Sequence, residues 1–150
     1  MLGVYMQKTK LKLKTLNRNI TGVHKLLQKK LKAYNVSKIN NYQRKHIVFS
    51  YYYGKKLLAG LYAYQDLGIF YIDLLWIDES FRHQGLGSNL LKTAEKYATK
   101  NKALYIRVNT GSFQAPKFYL KNNYEQFAKL PLVTTTKQKH YDYYFIKYLK

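Results

Sequence analysis

The chain has no cysteine among its 150 residues, which excludes disulfides, thiolate metal sites and cysteine nucleophiles together. Acids are nearly as scarce, seven against 27 lysines and arginines. No apolar run approaches the roughly 20 residues needed to cross a bilayer, the longest resembling Leu74-Leu75-Trp76-Ile77. The opening residues Met1 to Met6 lack the apolar centre of a signal peptide. These absences lead to the expectation of a cytoplasmic protein with no membrane partner. A chain of this length buries a sufficient core as one unit, so a single domain over residues 1–150 is expected.

What is abundant is positive charge, and it is unevenly spread. The first 65 residues contain no acid at all. Such a field draws phosphate-bearing partners, whether nucleic acid, acidic protein or a nucleotide cofactor; lysines scattered over solvated faces account for it equally well.

Hydrophobic spacing gives the order of elements. Leu11 and Leu13 alternate with lysines, the period of a half-buried strand within residues 8 to 16. Ile20, Val23, Leu27, Leu31 and Tyr34 recur at threes and fours, an amphipathic helix ending near Asn35. Turn signals at Gly54-Lys55 and Asp66-Leu67-Gly68 divide the next stretch into strands at 45 to 53, 56 to 64 and 69 to 77. Turns this short allow only antiparallel neighbours. A helix from Gly85 to Lys100, a strand from 103 to 108, a short helix from Phe113 to Asn122 and strands at 124 to 130 and 141 to 149 complete the chain. Pro116 is tolerable in the first turn of that short helix. The order is that of an α/β or α+β layer, a central sheet with helices packed on it.

Chemistry concentrates in Arg82-His83-Gln84-Gly85-Leu86-Gly87-Ser88, between an apolar strand and a helix. Glycine lets the backbone turn tightly and approach a ligand, and the first amides of a helix point outward with partial positive charge. Phosphate oxygens suit that environment, and Arg82 adds a permanent charge able to bond a pyrophosphate twice. The segment lacks the Gly-Lys-Ser/Thr of a nucleoside-triphosphate loop, and leucine at position 90 breaks a Gly-x-Gly-x-x-Gly dinucleotide pattern.

Strand residues Leu75-Trp76-Ile77-Asp78-Glu79, followed by Phe81-Arg82-His83-Gln84-Gly85-Leu86-Gly87 and Leu90-Leu91, resemble the signature of the GNAT superfamily of N-acetyltransferases. A second segment, Phe113-Gln114-Ala115-Pro116-Lys117-Phe118-Tyr119 and then Tyr124, resembles the family's Ala-x-x-Phe-Tyr segment. The likeness spans about residues 45 to 149 and rests on element order alone before that. It implies a mixed, mostly antiparallel sheet of about seven strands flanked by about four helices. The fourth and fifth strands, here 69 to 77 and 103 to 108, would splay apart around acetyl-CoA. It further implies that the backbone of Leu75, Trp76 and Ile77 pairs with the pantetheine arm, that Arg82, His83, Gln84, Gly85, Leu86, Gly87 and Ser88 hold the pyrophosphate, and that the acetyl group passes directly to a primary amine. Ser112 stands where many relatives carry an asparagine at the cofactor, and Asn123 replaces a customary glycine, a change that asparagine tolerates at a helix stop.

The same resemblance puts Tyr119 in the role of general acid toward the departing thiolate. For the base that takes the amine's proton, Asp73 is the first choice, since desolvation in an otherwise apolar strand would suit it to that task. Glu79 is read as capping or orienting the loop. His24, His46 and His140 have no metal-ligand spacing and no metal is expected. The acceptor is a small-molecule or protein amine, and the strongly positive chain slightly favours acidic acceptors. The competing reading is a binding module without catalysis, using the basic front half and Tyr51, Tyr52 and Tyr53 to hold nucleic acid or an acidic partner. The chain is expected to be a monomer or homodimer.

Overall fold

The computed structural model describes residues 12–39, 43–135 and 137–150, and by its contacts the chain divides into two units, one ending at Tyr42 and the other running from Gln43 to Lys150. The first contains helix α1, Thr21–Lys38. It runs a turn beyond Asn35 because Ser37 Oγ donates to the Tyr34 carbonyl at 2.6 Å and the Ile39 amide to that of Asn35 at 2.9 Å. Residues 12–16 form no strand: an alternating pattern becomes one only when a neighbouring ladder takes up its backbone groups. Residues 8–11 of that expected strand lie outside the described residues.

The second unit holds strands β1 (Lys45–Tyr53), β2 (Lys56–Asp66) and β3 (Ile69–Ile77), helix α2 (Leu86–Lys100), strand β4 (Tyr105–Gly111), helix α3 (Pro116–Lys121) and strands β5 (Glu125–Leu132) and β6 (His140–Tyr148). The sheet order is β1-β2-β3-β4-β6-β5. All neighbours are antiparallel except β3 and β4, which the α2 crossover makes parallel. Two-residue turns close both early hairpins, with Gly54 at φ 57° in the first and Leu67 and Gly68 at 49° and 78° in the second, the positive values that such turns require. Six strands and three α-helices stand among the described residues, against the seven and four expected, and the mixed, mostly antiparallel class is as expected. Strand β5 carries Pro131, tolerated because β5 is the sheet's edge. Helix α3 starts later than Phe113, because Gln114 turns back to accept the Gly111 amide at 2.8 Å.

The core lies between the sheet and α2. Ala94 and Ala98 of α2 face Ala59 and Ala63 of β2, all fully buried. These small side chains let the helix lie close to the sheet, and Leu91, Leu61, Phe70 and Ile106 fill the space around them.

Strand β3 carries a register shift between its partners Tyr62 and Ala63, with Leu74 opposite the first and Ile72 opposite the second. Asp73 is therefore the extra residue of a β-bulge, which bends and twists its strand. Pairing of β3 with β4 runs from Ile69 and Tyr105 to Ile72 and Val108 and stops there, although β3 continues to Ile77 and β4 to Gly111. The sheet is thus joined at one end and parted at the other. On the face opposite α2, aromatic rings and guanidinium groups alternate across the joined end. Arg44 lies over Tyr64 at 4.9 Å, Tyr64 stacks on Tyr71 at 4.9 Å, and Arg107 lies 5.6 Å from Tyr71 and 5.4 Å from Phe127. Each guanidinium–ring contact contributes about 0.5–1 kcal/mol at an exposed site.

After α3, Asn123 takes φ 62°, the left-handed stop expected of it. Asn123→Ala should cost about 1 kcal/mol, the penalty of that conformation for a side chain without local bonding, while Asn123→Gly stays within about 0.5 kcal/mol of the parent. Urea unfolding measures both, and equal stability of the alanine variant would contradict it.

Candidate active site

The loop after β3 is set by local hydrogen bonds. Asp78 accepts from the Ser80 amide at 3.0 Å and pairs with Lys56 at 2.9 Å; these two contacts hold its carboxyl below the usual carboxylate range. The loop cap is therefore Asp78, next to the Glu79 that the sequence suggested. Glu79 instead approaches Arg82 at 3.7 Å, and Arg82 Nε also points to the Ile77 carbonyl at 3.4 Å. Gln84 donates to the Ser80 carbonyl at 3.1 Å. His83 and Gly85 take φ 62° and 82°, the backbone reversal that delivers the chain into α2.

Gly85, the expected first residue of the helix, is its cap, so α2 itself starts one residue later at Leu86, and the first helical bond runs from the Asn89 amide to the Gly85 carbonyl. The amides of Leu86, Gly87 and Ser88 therefore precede the helical ladder, at the positive end of a 15-residue helix. A Cβ on Gly85 would meet nothing within 4 Å, whereas one on Gly87 would come within 3.1 Å of Phe118 of α3. Gly85 thus leaves open space in front of the amides, and Gly87 lets α3 close against α2. The chemistry of this helix end suits an anion, with the edge of β3 from Asp73 to Ile77 beside it and unpaired with β4.

Tyr119 comes to the point where the strands part. Its ring stacks on Phe145 at 5.7 Å and 29°; Phe145 pairs with Val108, the last β4 residue joined to β3. Edge contacts with Phe118 and Tyr124 complete its surroundings, leaving it 4% exposed. Burial pushes its phenol far above the ordinary value of about 10, so the proton stays on oxygen throughout the neutral range.

Asp73 stands exposed at the bulge, so the desolvation expected of it is absent. Ile72 before it is buried beneath α2, and alternation along the strand sets Asp73 on the opposite face, where burial raises the Tyr64 phenol and the Asp73 charge adds to that rise. Asp142 belongs to the same face, where Asn109 donates to its two oxygens at 3.3 and 3.1 Å. A hydrogen bond to Asp142, with its charge, also raises Tyr144. Asn109 is the first β4 residue past the last pair with β3. Asp142 escaped the sequence reading because its place depends on the β4–β6 register; the scarcity of acids was the signal available. Ser112 Oγ accepts the Tyr141 amide at 3.2 Å and lies 3.1 Å from His140 Nδ1, so this side chain already serves to fasten β4 to β6.

A sheet parted beside an amide-lined helix start suits an extended, anion-bearing ligand, and comparisons identify the class. Residues 21–124 match the model of the acetyltransferase (GNAT) family, and the chain belongs to that family, whose members take their acetyl group from acetyl-CoA. Over 77 residues it is 36% identical to blasticidin-S acetyltransferase of Streptomyces morookaense, a match covering 51% of this chain and 57% of that one. An acetyltransferase from Bacillus cereus ATCC 14579 shares 27% identity and a TM-score of 0.74, over 92% of this chain and 98% of the other. A GNAT family acetyltransferase from Elizabethkingia anophelis with acetyl-CoA bound has the same fold at 16% identity and a TM-score of 0.56, over 68% and 75%. No helix among the described residues is long and apolar enough to cross a membrane.

Proposed function

We propose that the chain is an N-acetyltransferase that moves an acetyl group from acetyl-CoA to a cationic primary amine in a direct, single displacement. One observation carries this reading: β3 and β4 separate past Ile72 and Val108, and the amides opening α2 and the ring of Tyr119 lie at the two ends of the gap. The family match spans both units of the chain, which supports treating residues 1–150 as one working domain.

The residues fit the cofactor. Amides of Leu86, Gly87 and Ser88, with the space left by Gly85, would hold the pyrophosphate. Arg82 would add charge after giving up its weak contact with Glu79, while His83 and Gln84 contribute through the loop's shape. The free edge of β3 at Leu75, Trp76 and Ile77 would bond the pantetheine amides as a missing strand does. Bound there, acetyl-CoA supplies an activated acyl thioester. Ser112 helps by fixing the β4 end of the gap through His140 and Tyr141.

Tyr119 and Asp73 reach the gap from opposite faces. Tyr119 donates a hydrogen bond toward the sulfur as it gains charge. Full transfer of the proton to a thiolate of pKa about 8.5 runs uphill from so weak an acid, so stabilisation by the bond matters more than the transfer itself. Asp73, exposed on the other face, accepts the proton of the incoming ammonium, directly or through water.

Local charge reverses the preference drawn from the whole chain. Asp66, Asp78, Glu79 and Glu95 are each bound to a cation. Among the described residues Asp73, Glu125 and Asp142 form no ion pair, despite 27 basic groups in the chain, and two of these three flank the gap. An amine carrying positive charge supplies what they lack, whereas an acidic acceptor would meet repulsion.

Gly85→Glu should abolish the thermal shift given by acetyl-CoA while leaving the circular dichroism spectrum intact, since it sets a carboxylate before the amides and the left-handed backbone there costs only about 1–2 kcal/mol; an undiminished shift rules out the assigned cradle. Tyr119→Phe should lower kcat about a hundredfold, the lower range for a positioned acid, with KM for acetyl-CoA unchanged in steady-state assays of CoA release. Asp142→Asn should raise KM for diamine acceptors about tenfold, equivalent to about 1.4 kcal/mol, and leave KM for acetyl-CoA alone; faster turnover of an acidic amine by the parent enzyme would refute the acceptor class.

A further inference from the structure

One permanent cation shares the sheet face of Asp73 and Asp142. Ile106 and Val108, on either side of Arg107, are buried beneath α2, so alternation along β4 turns Arg107 to the opposite face, together with Asn109 about 7 Å further along the strand. The guanidinium lies 5.6 Å from the Tyr71 ring on β3 and 5.4 Å from the Phe127 ring on β5, strands that stand on the two sides of β4 in the sheet order. It is half-buried, and among the described residues it forms no ion pair and donates no hydrogen bond to the protein. Arg44, at the other end of the ring series, is instead paired with Asp66 at 2.7 Å. Rings beside a guanidinium fix its place while leaving its planar fork of N–H donors for a partner.

Two carboxylates and this cation surround the β4 end of the gap. Asn109 holds Asp142 at 3.3 and 3.1 Å, and Tyr144, in edge contact with Phe127 at 6.1 Å, stands between the opposite charges: its bond to Asp142 raises the phenol, and the Arg107 charge pulls it down. A diamine would satisfy Asp73 and Asp142 but would meet repulsion from Arg107. A carboxylate on the same molecule removes that repulsion and supplies the acceptor atoms that the fork lacks. One guanidinium beside two carboxylates balances a single negative charge, so a phosphate dianion would carry one too many.

We propose that Arg107 determines specificity by pairing with a carboxylate of the acceptor, which makes the acceptor class the diamino monocarboxylic acids. The ammonium that is acetylated faces Asp73, the second ammonium faces Asp142, and the carboxylate meets the Arg107 fork. Such a molecule keeps a net positive charge, as the two acids require. This inference rests on the cationic-amine reading and narrows it.

Ornithine and putrescine test it, because they differ by the carboxylate alone. In steady-state assays of CoA release the parent should favour ornithine about tenfold in kcat/KM, the contribution of one charge-assisted pair. Arg107→Gln should raise KM for ornithine about tenfold and leave KM for putrescine unchanged or lower, so that the preference disappears. Arg107→Lys, which keeps the charge but not the paired donors, should recover part of it. Arg44→Gln, which removes the other cation of the ring series, should leave the ratio of the two substrates as in the parent. An unchanged acetyl-CoA thermal shift verifies that each variant is folded. Equal use of the two amines by the parent, an equal loss of both in Arg107→Gln, or the same change of ratio in Arg44→Gln overturns the carboxylate pairing and leaves the cationic-amine reading standing. Turnover of neither amine, with the acetyl-CoA shift intact, overturns both.

Discussion

The separation of β3 from β4 is the constraint on which the rest of the molecule depends. A parallel pair of full length would have used the backbone groups of Leu75 to Ile77 within the sheet. The bulge at Asp73 prevents this by adding one residue to β3 while β2 keeps its own register. Beyond it β3 remains bonded to β2 but no longer faces β4. One edge of a central strand, ordinarily the most protected backbone in a sheet, is thereby made available to a ligand.

Opening a sheet removes ladder bonds, and the joined end compensates. Only four residue pairs link β3 to β4, and there the Arg44–Tyr64–Tyr71–Arg107–Phe127 series crosses from the start of β1 to β5 on one face. On the other face Phe70, Ile72, Ile106 and Val108 are packed beneath α2. The seam is held between an aliphatic layer and an aromatic one. Rigid walls follow, which favours catalysis by positioning.

Local chemistry was readable from the sequence. The turns at Gly54 and Gly68, the central apolar strand, the α2 stripe of Leu90, Leu91, Ala94 and Ala98, and the glycine loop before it all express short-range rules of spacing and backbone freedom. Recognition of the family supplied the parting of the strands. Strand pairing at long range was not readable: the bulge at Asp73 depends on β2, and the nearness of Asp142 to Asn109 on a hairpin formed 33 residues later. The alternation of Leu11 and Leu13 promised a strand that residues 12–16 do not form, because a pattern records which face could be buried and not whether a partner is present. The exposure of Asp73 was missed for a similar reason, since its apolar neighbours in sequence are not its neighbours across the parted sheet.

The alternating ring and guanidinium contacts bear on how such an enzyme would respond to acidity. Arginine keeps its proton at every pH a cell reaches, and burial holds Tyr64 neutral beyond its ordinary range. The contact of Arg44 with the Tyr64 ring therefore keeps its charge state across the neutral range. A change of acidity around neutrality leaves this support, and with it the spacing of the two walls, as it was.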